Sequence, residues 1–168
     1  MKKTIIILLA LFTVNLACKK EDIGGGGLCA CSYISYMGLN LSIKDAANQD
    51  LLNPATSNSF TANQIQLYKK AANGDKIAIS FTIRPPFNYQ NGKFEYFQIF
   101  SDEIGRITNS IHDTYYLKLG DHEPYVLNLG INTTNKKTDR LLIDSKEAQK
   151  ENNLPSEYPF NIFYLIRP

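Results

Sequence analysis

From Leu39 onward, apolar side chains fall at every second position in stretch after stretch of the chain. Leu39, Leu41 and Ile43 alternate with Asn40, Ser42 and Lys44, and Ile65 and Leu67 repeat the pattern. Ile77, Ile79, Phe81 and Ile83 run against Ala78, Ser80, Thr82 and Arg84. Tyr115, Leu117 and Leu119, then Tyr125, Leu127 and Leu129, then Leu141 and Ile143 continue it. A period of two puts one face of an extended strand in a core and the other in water. Two segments are apolar on both faces. Phe94, Tyr96 and Phe100 lie opposite Phe97 and Ile99, and Ile162-Phe163-Tyr164-Leu165-Ile166 reads as a central strand.

The punctuation agrees with strands. Asn73-Gly74 and Asn91-Gly92 are tight-turn dipeptides, since both central residues of the favoured hairpin turn take positive φ. Gly120-Asp121 and the stretch Asn132 to Lys137 separate further strands. Only Asp144 to Asn153 has helical composition, enough for a turn or two before Pro155. About eight strands joined mostly by short turns predict an all-β fold, a single antiparallel β-sandwich over residues 28–168. A small closed β-barrel is the alternative, because closure also removes sheet edges.

Ahead of the strands the chain changes character. Lys2 and Lys3 precede the apolar run Ile5 to Phe12, and Ala17 stands just before Cys18. This is the order of a secretory signal, over residues 1–17, and the run has roughly half the ~20 residues of a bilayer span. The cysteine at the cut resembles the bacterial lipobox, which implies acyl chains on Cys18. Lys19-Lys20-Glu21-Asp22 and Gly24 to Gly27 then make residues 18–27 a polar, flexible tether. Cys18 to Asp22 also resembles the lysine-then-acidic signal that carries lipoproteins of the phylum Bacteroidota to the outer face of the outer membrane. A periplasm-facing anchor is the alternative address.

Processing alters the charge. Of eighteen basic and sixteen acidic residues, removal of Lys2 and Lys3 leaves sixteen of each, a formally neutral mature chain. No basic stripe remains for nucleic acid. Lys69-Lys70 and Lys136-Lys137 sit beside turn signals and read as solvated.

The opening of the domain, Leu39 to Asp45, Leu51-Leu52, then Ile65 to Tyr68, resembles the immunoglobulin-like and transthyretin-like sandwich modules of Bacteroidota surface lipoproteins. The resemblance implies a fold and an address, and no reaction.

Residues with potential chemistry are few. Cys29 and Cys31 would ordinarily pair in an exported protein. Residues two apart on a strand, however, have Cα atoms about 6.5–7 Å apart, at the edge of what a disulfide spans. A strained bridge, intermolecular bridges, free thiols and two soft-metal ligands all remain open, with His112, His122 and Met37 as further ligands. His112-Asp113 and Asp121-His122-Glu123 lack a nucleophile in a recognisable context and read as solvated loop residues. Asp45 to Asp50 lacks the spacing and the glycine of a calcium loop and reads as a plain turn. Ten Tyr and nine Phe fall mostly at inward positions, but Phe87 and Tyr89 lie on a loop led by Pro85-Pro86. Their rings suit either a ligand or partner contact, or folding back over the sandwich.

The expectation is a non-catalytic binding or accessory module, tethered to the outer membrane through Cys18, with a protein or glycan partner at the cell surface. No cofactor or metal is expected. A thiol-redox or soft-metal protein built on Cys29 and Cys31 is one alternative, and a hydrolase with an unrecognised site is the other.

Overall fold

A computed structural model describes residues 37–132, 134–155 and 157–168. The signal segment, Cys18, the tether, Cys29 and Cys31 lie outside the described residues. In chain order the strands are β1 (Leu39–Lys44), β2 (Ile65–Lys70), β3 (Lys76–Ala78), β4 (Thr82–Arg84), β5 (Phe87–Tyr89), β6 (Gly92–Phe94) and β7 (Gln98–Ser101). After the single-turn helix α1 (Asp102–Ile107) come β8 (Tyr115–Leu119), β9 (Tyr125–Asn132), β10 (Lys137–Ile143), β11 (Lys146–Glu147), β12 (Gln149–Lys150) and β13 (Phe163–Ile166).

The larger sheet has the order β11-β10-β9-β8-β2-β3 and the smaller β12-β13-β1-β7-β4, with β5 and β6 a separate hairpin. The fold is the expected all-β sandwich, and among the described residues no sheet closes into a barrel. One pairing departs from a purely antiparallel plan. The last strand, β13, lies parallel to the first, with Leu41 opposite Phe163 and Ile43 opposite Leu165. Parallel neighbours need a crossover instead of a hairpin, and here nearly the whole domain is that crossover.

The inward positions named by alternation form the core. Leu39, Leu41, Ile43, Leu117, Leu119, Leu127, Leu129 and Leu141 are wholly buried between the sheets. The run from Ile77 to Ile83 is a different matter. It is two strands in two sheets: β3 edges the larger sheet, β4 edges the smaller, and the chain changes sheet at residues 79–81. Ile79 is buried while Ile77 is 44% exposed. The corner is satisfied by α1 and its cap. The Glu103 carboxylate accepts from Ser80 N at 2.7 Å, and the Ser101 hydroxyl donates to Ser80 O at 2.6 Å.

A second exchange of sheets corrects the helix expected over Asp144 to Asn153. Asp144 and Ser145 take φ of 49° and 65°, which turns the chain from β10 straight back into β11. The chain then passes Ala148 into β12 of the other sheet. Both sides of the sandwich are thus joined by continuous chain, although the hydrogen-bond ladders stay open. The Asn91-Gly92 turn is offset by one residue. Tyr89 pairs with Gly92, so the turn is Gln90-Asn91, with Gln90 at φ 50°. Gly92 is required for another reason: a Cβ there would collide with the Pro155 ring.

Candidate functional site

Strand β1 was expected to show Asn40, Ser42 and Lys44 to water; instead they are 0%, 1% and 9% exposed. The cause is a further layer over the smaller sheet. The β5–β6 hairpin and residues 151–155 and 157–162 lie across it, held by a second hydrophobic cluster of Phe94, Tyr158 and Ile162. Phe87 and Tyr89 belong to that cluster. Phe87 stacks on Phe94 with centroids 4.5 Å apart, and Tyr89 meets Tyr158 edge-on at 5.3 Å. Of the two uses weighed for these rings, packing back over the sandwich is what the geometry displays. Burial pushes the Tyr158 phenol up to about 12.

Between this layer and the sheet lies a cavity of about 200 Å³. Ser42, Gln98 and Tyr164 from the sheet, Glu151 from one side, and Phe94 and Tyr96 from the other are among its walls. The Tyr164 hydroxyl donates to Glu151 Oε2, and Asn153 N donates to Glu151 Oε1 at 2.9 Å. The Tyr164 hydroxyl bond, chiefly, holds the Glu151 carboxyl below its usual range. Burial first, and then that same carboxylate, push the Tyr164 phenol well above its own. The Lys44 ammonium sits 3.6 Å above the Tyr96 ring centre and 3.8 Å from that of Tyr164. The two rings meet edge to face at 6.2 Å, so one cation is shared by both.

Against this satisfied wall, Ser42 Oγ and Gln98 Oε1 have no hydrogen-bond partner among the described residues, and both residues are 1% exposed. Both amide atoms of Asn40, on the same face of β1, are in the same state. A buried polar atom left without a partner costs about 1–3 kcal/mol.

The other sequence candidates do not converge. His112 and His122 are exposed at opposite ends of β8, a strand about 17 Å long at 3.4 Å per residue. Asp113 is occupied in its own loop, accepting from Asn109 N and Ser110 N at 2.6 and 3.0 Å. The His122 ring meets Phe60 edge-on. Met37 packs its backbone against Gly105 of α1. Among the described residues no three His, Cys, Asp or Glu side chains come together as a metal site. Asp45 and Asp50 are turn formers: Asp45 Oδ1 accepts from Ala47 N and Gln49 N, and Asp50 accepts from Leu52 N and Phe97 N. Lys69 and Lys70 end β2, and Lys136 turns the chain into β10 with φ 54°.

Sequence reasoning missed Asn40, Ser42, Lys44 and Gln98, yet a signal was present. The neighbouring strands carry apolar residues on both faces, so the sheet between them has two covered faces. Polar alternates on its middle strand are then interior. Comparison with protein-family models, curated proteins and solved structures finds no match for the chain.

Proposed function

We propose that this chain is an outer-membrane lipoprotein of the Bacteroidota surface type, displayed outward on acyl chains at Cys18, whose sandwich is a non-catalytic binding module. The anchoring half of the proposal is supported by the order of charge, short apolar run, Ala17, Cys18 and glycine-rich tether. The binding half rests on one observation: a cavity of about 200 Å³, with Ser42, Gln98, Glu151 and Tyr164 among its walls, reaches solvent at Lys93, Glu95 and Asn153. The thiol-metal alternative gains nothing from His112 and His122, which β8 holds apart.

Anchoring is tested by Cys18→Ser in cells fed an alkyne-labelled fatty acid. The parent chain should carry label, fractionate with membranes and be cut by protease added to intact cells. The variant should lose the label and the membrane association, since stable anchoring of this kind takes more than one acyl chain. A Cys18→Ser chain that is still acylated and retained sinks the lipoprotein reading.

A further inference from the structure

We propose that the open face of the larger sheet rests on a net-anionic lipid surface, the headgroups of the bilayer that holds Cys18. The proposal rests on reading the chain as a lipoprotein and adds the face with which its sandwich meets that bilayer.

Strand register defines the face. Ile65 and Leu67 of β2 and Leu117 and Leu119 of β8 are buried between the sheets, so Tyr68, Lys70, Tyr116 and Lys118 point the other way. Lys76 of β3 stands directly opposite Lys70, and Tyr116 directly opposite Tyr68, which puts all of them on one side. Over β2 and β3 this side is open, with Gln66, Lys70, Lys76 and Ala78 exposed.

Charge selects the partner. The Tyr68 and Tyr116 rings stack at 5.2 Å. The Lys76 ammonium lies 4.8 Å from the centre of the Tyr68 ring, and the Lys70 ammonium 4.7 Å from that of Tyr116. Like charges directly opposite one another destabilise a sheet, and an anionic surface laid over them removes that cost. Lys118 adds a third charge on the next strand. Among the described residues none of these three lysines is in an ion pair, whereas Arg140, farther across the sheet, pairs with Glu147 at 3.2 Å. Burial chiefly, with Tyr116 and Glu123 adding, pushes the Tyr68 phenol up, so that ring brings no anion of its own. With an ammonium over each ring, the face offers charge and no bare ring on which a sugar could stack. Acyl chains at Cys18 would hold the domain beside a bilayer, where weak contacts act at high effective concentration. A basic residue near an anionic leaflet favours contact about fivefold, and three together on the order of a hundredfold. The outer faces of the two sheets point in opposite directions, so this placement turns the covering layer and the cavity mouth away from the bilayer.

The test uses the full chain, added to preformed vesicles of phosphatidylcholine alone or with about a third of it replaced by phosphatidylglycerol. Lysines are acetylated with a reagent that does not cross bilayers, and the rate at each is read by mass spectrometry. Lys70, Lys76 and Lys118 should react about fivefold more slowly on the anionic vesicles, while Lys93, on β6 of the covering layer, is unchanged. The difference should vanish at about 1 M salt, where charges are screened within about 3 Å. Joint Lys70→Gln and Lys76→Gln substitution should bring Lys118 back close to its rate on neutral vesicles. Equal rates at the three lysines on both vesicles, or equal slowing at Lys93, overturn the proposal. So does protection by soluble polygalacturonate where anionic vesicles give none, since the face would then belong to an acidic glycan. The anchor is read separately, from the acyl mass and from flotation with neutral vesicles. An acylated chain with equal lysine rates keeps the anchor and loses the face. A chain without acyl groups that floats with anionic vesicles only loses the anchor and keeps the face, and one that floats with neither loses both.

Discussion

Tyr164 serves the cavity with two parts of one side chain. Its hydroxyl donates to Glu151, while its ring face shares the Lys44 ammonium with Tyr96. Removing the hydroxyl alone separates these roles, and pH reports the result. Glu151 titrates below the ordinary carboxylate range when folded. The stability it contributes is therefore complete above about pH 4.3, the unfolded value, and is lost as pH falls through the lower folded value. Tyr164 titrates above the ordinary phenol value. Its contribution is complete below about pH 10 and is lost as pH rises through the folded value. Tyr164→Phe should cost about 1 kcal/mol at neutral pH. It should also flatten the stability profile below pH 4.3 and above pH 10, as read by urea unfolding across the range. An unchanged acid limb would mean that Glu151 owes its low titration to its backbone partners instead.

At the scale of elements, periodicity located strands well and sheet membership poorly. The core faces of β1, β2, β8, β9 and β10 follow directly from their alternating residues, because one buried face is all that the pattern encodes. The handover between β3 and β4 leaves no trace in it: Ile79, Phe81 and Ile83 keep their period while the chain changes sheets. The β1–β13 pairing joins opposite ends of the domain, and no local signal reports it. Helix α1 is one short turn, DEIGRI, set by the Ser101 cap and the buried Ile104, too brief for a helical period to be visible. Asp144 to Asn153 misled in the other direction. Its residues tolerate helix, but φ of 49° and 65° at Asp144 and Ser145 make the segment a hairpin turn. Ser145→Gly discriminates the two. In a helix glycine costs about 1 kcal/mol against alanine, whereas at a left-handed turn position it relieves strain of about 1 kcal/mol. Ser145→Gly should therefore raise the Tm, and a fall would restore the helical reading.

For the whole molecule, two hydrophobic clusters have separate tasks. The one between the sheets is drawn chiefly from β1, β2, β7, β8, β9, β10 and β13 and holds the sandwich; the one outside, around Tyr158, holds the covering layer and so the cavity. Tyr158 touches Phe87, Tyr89, Phe94 and Phe160, the hairpin and its own segment together. None of the larger sheet's strands contributes to this cluster. Losing it should therefore release the layer without unfolding the sandwich. Tyr158→Ala should cost about 3 kcal/mol, with amide exchange accelerating first in β5, β6 and residues 151–162. Amides of β8 and β9, beneath Leu117, Leu127 and Leu129, should stay protected up to global unfolding. Leu129→Ala, in the main core, should cost a similar amount yet speed exchange in both sheets together. If Tyr158→Ala also opens β8 and β9 equally, the layer is part of one cooperative core. The cavity would then be a feature of the fold as a whole, and the site could not open independently of it.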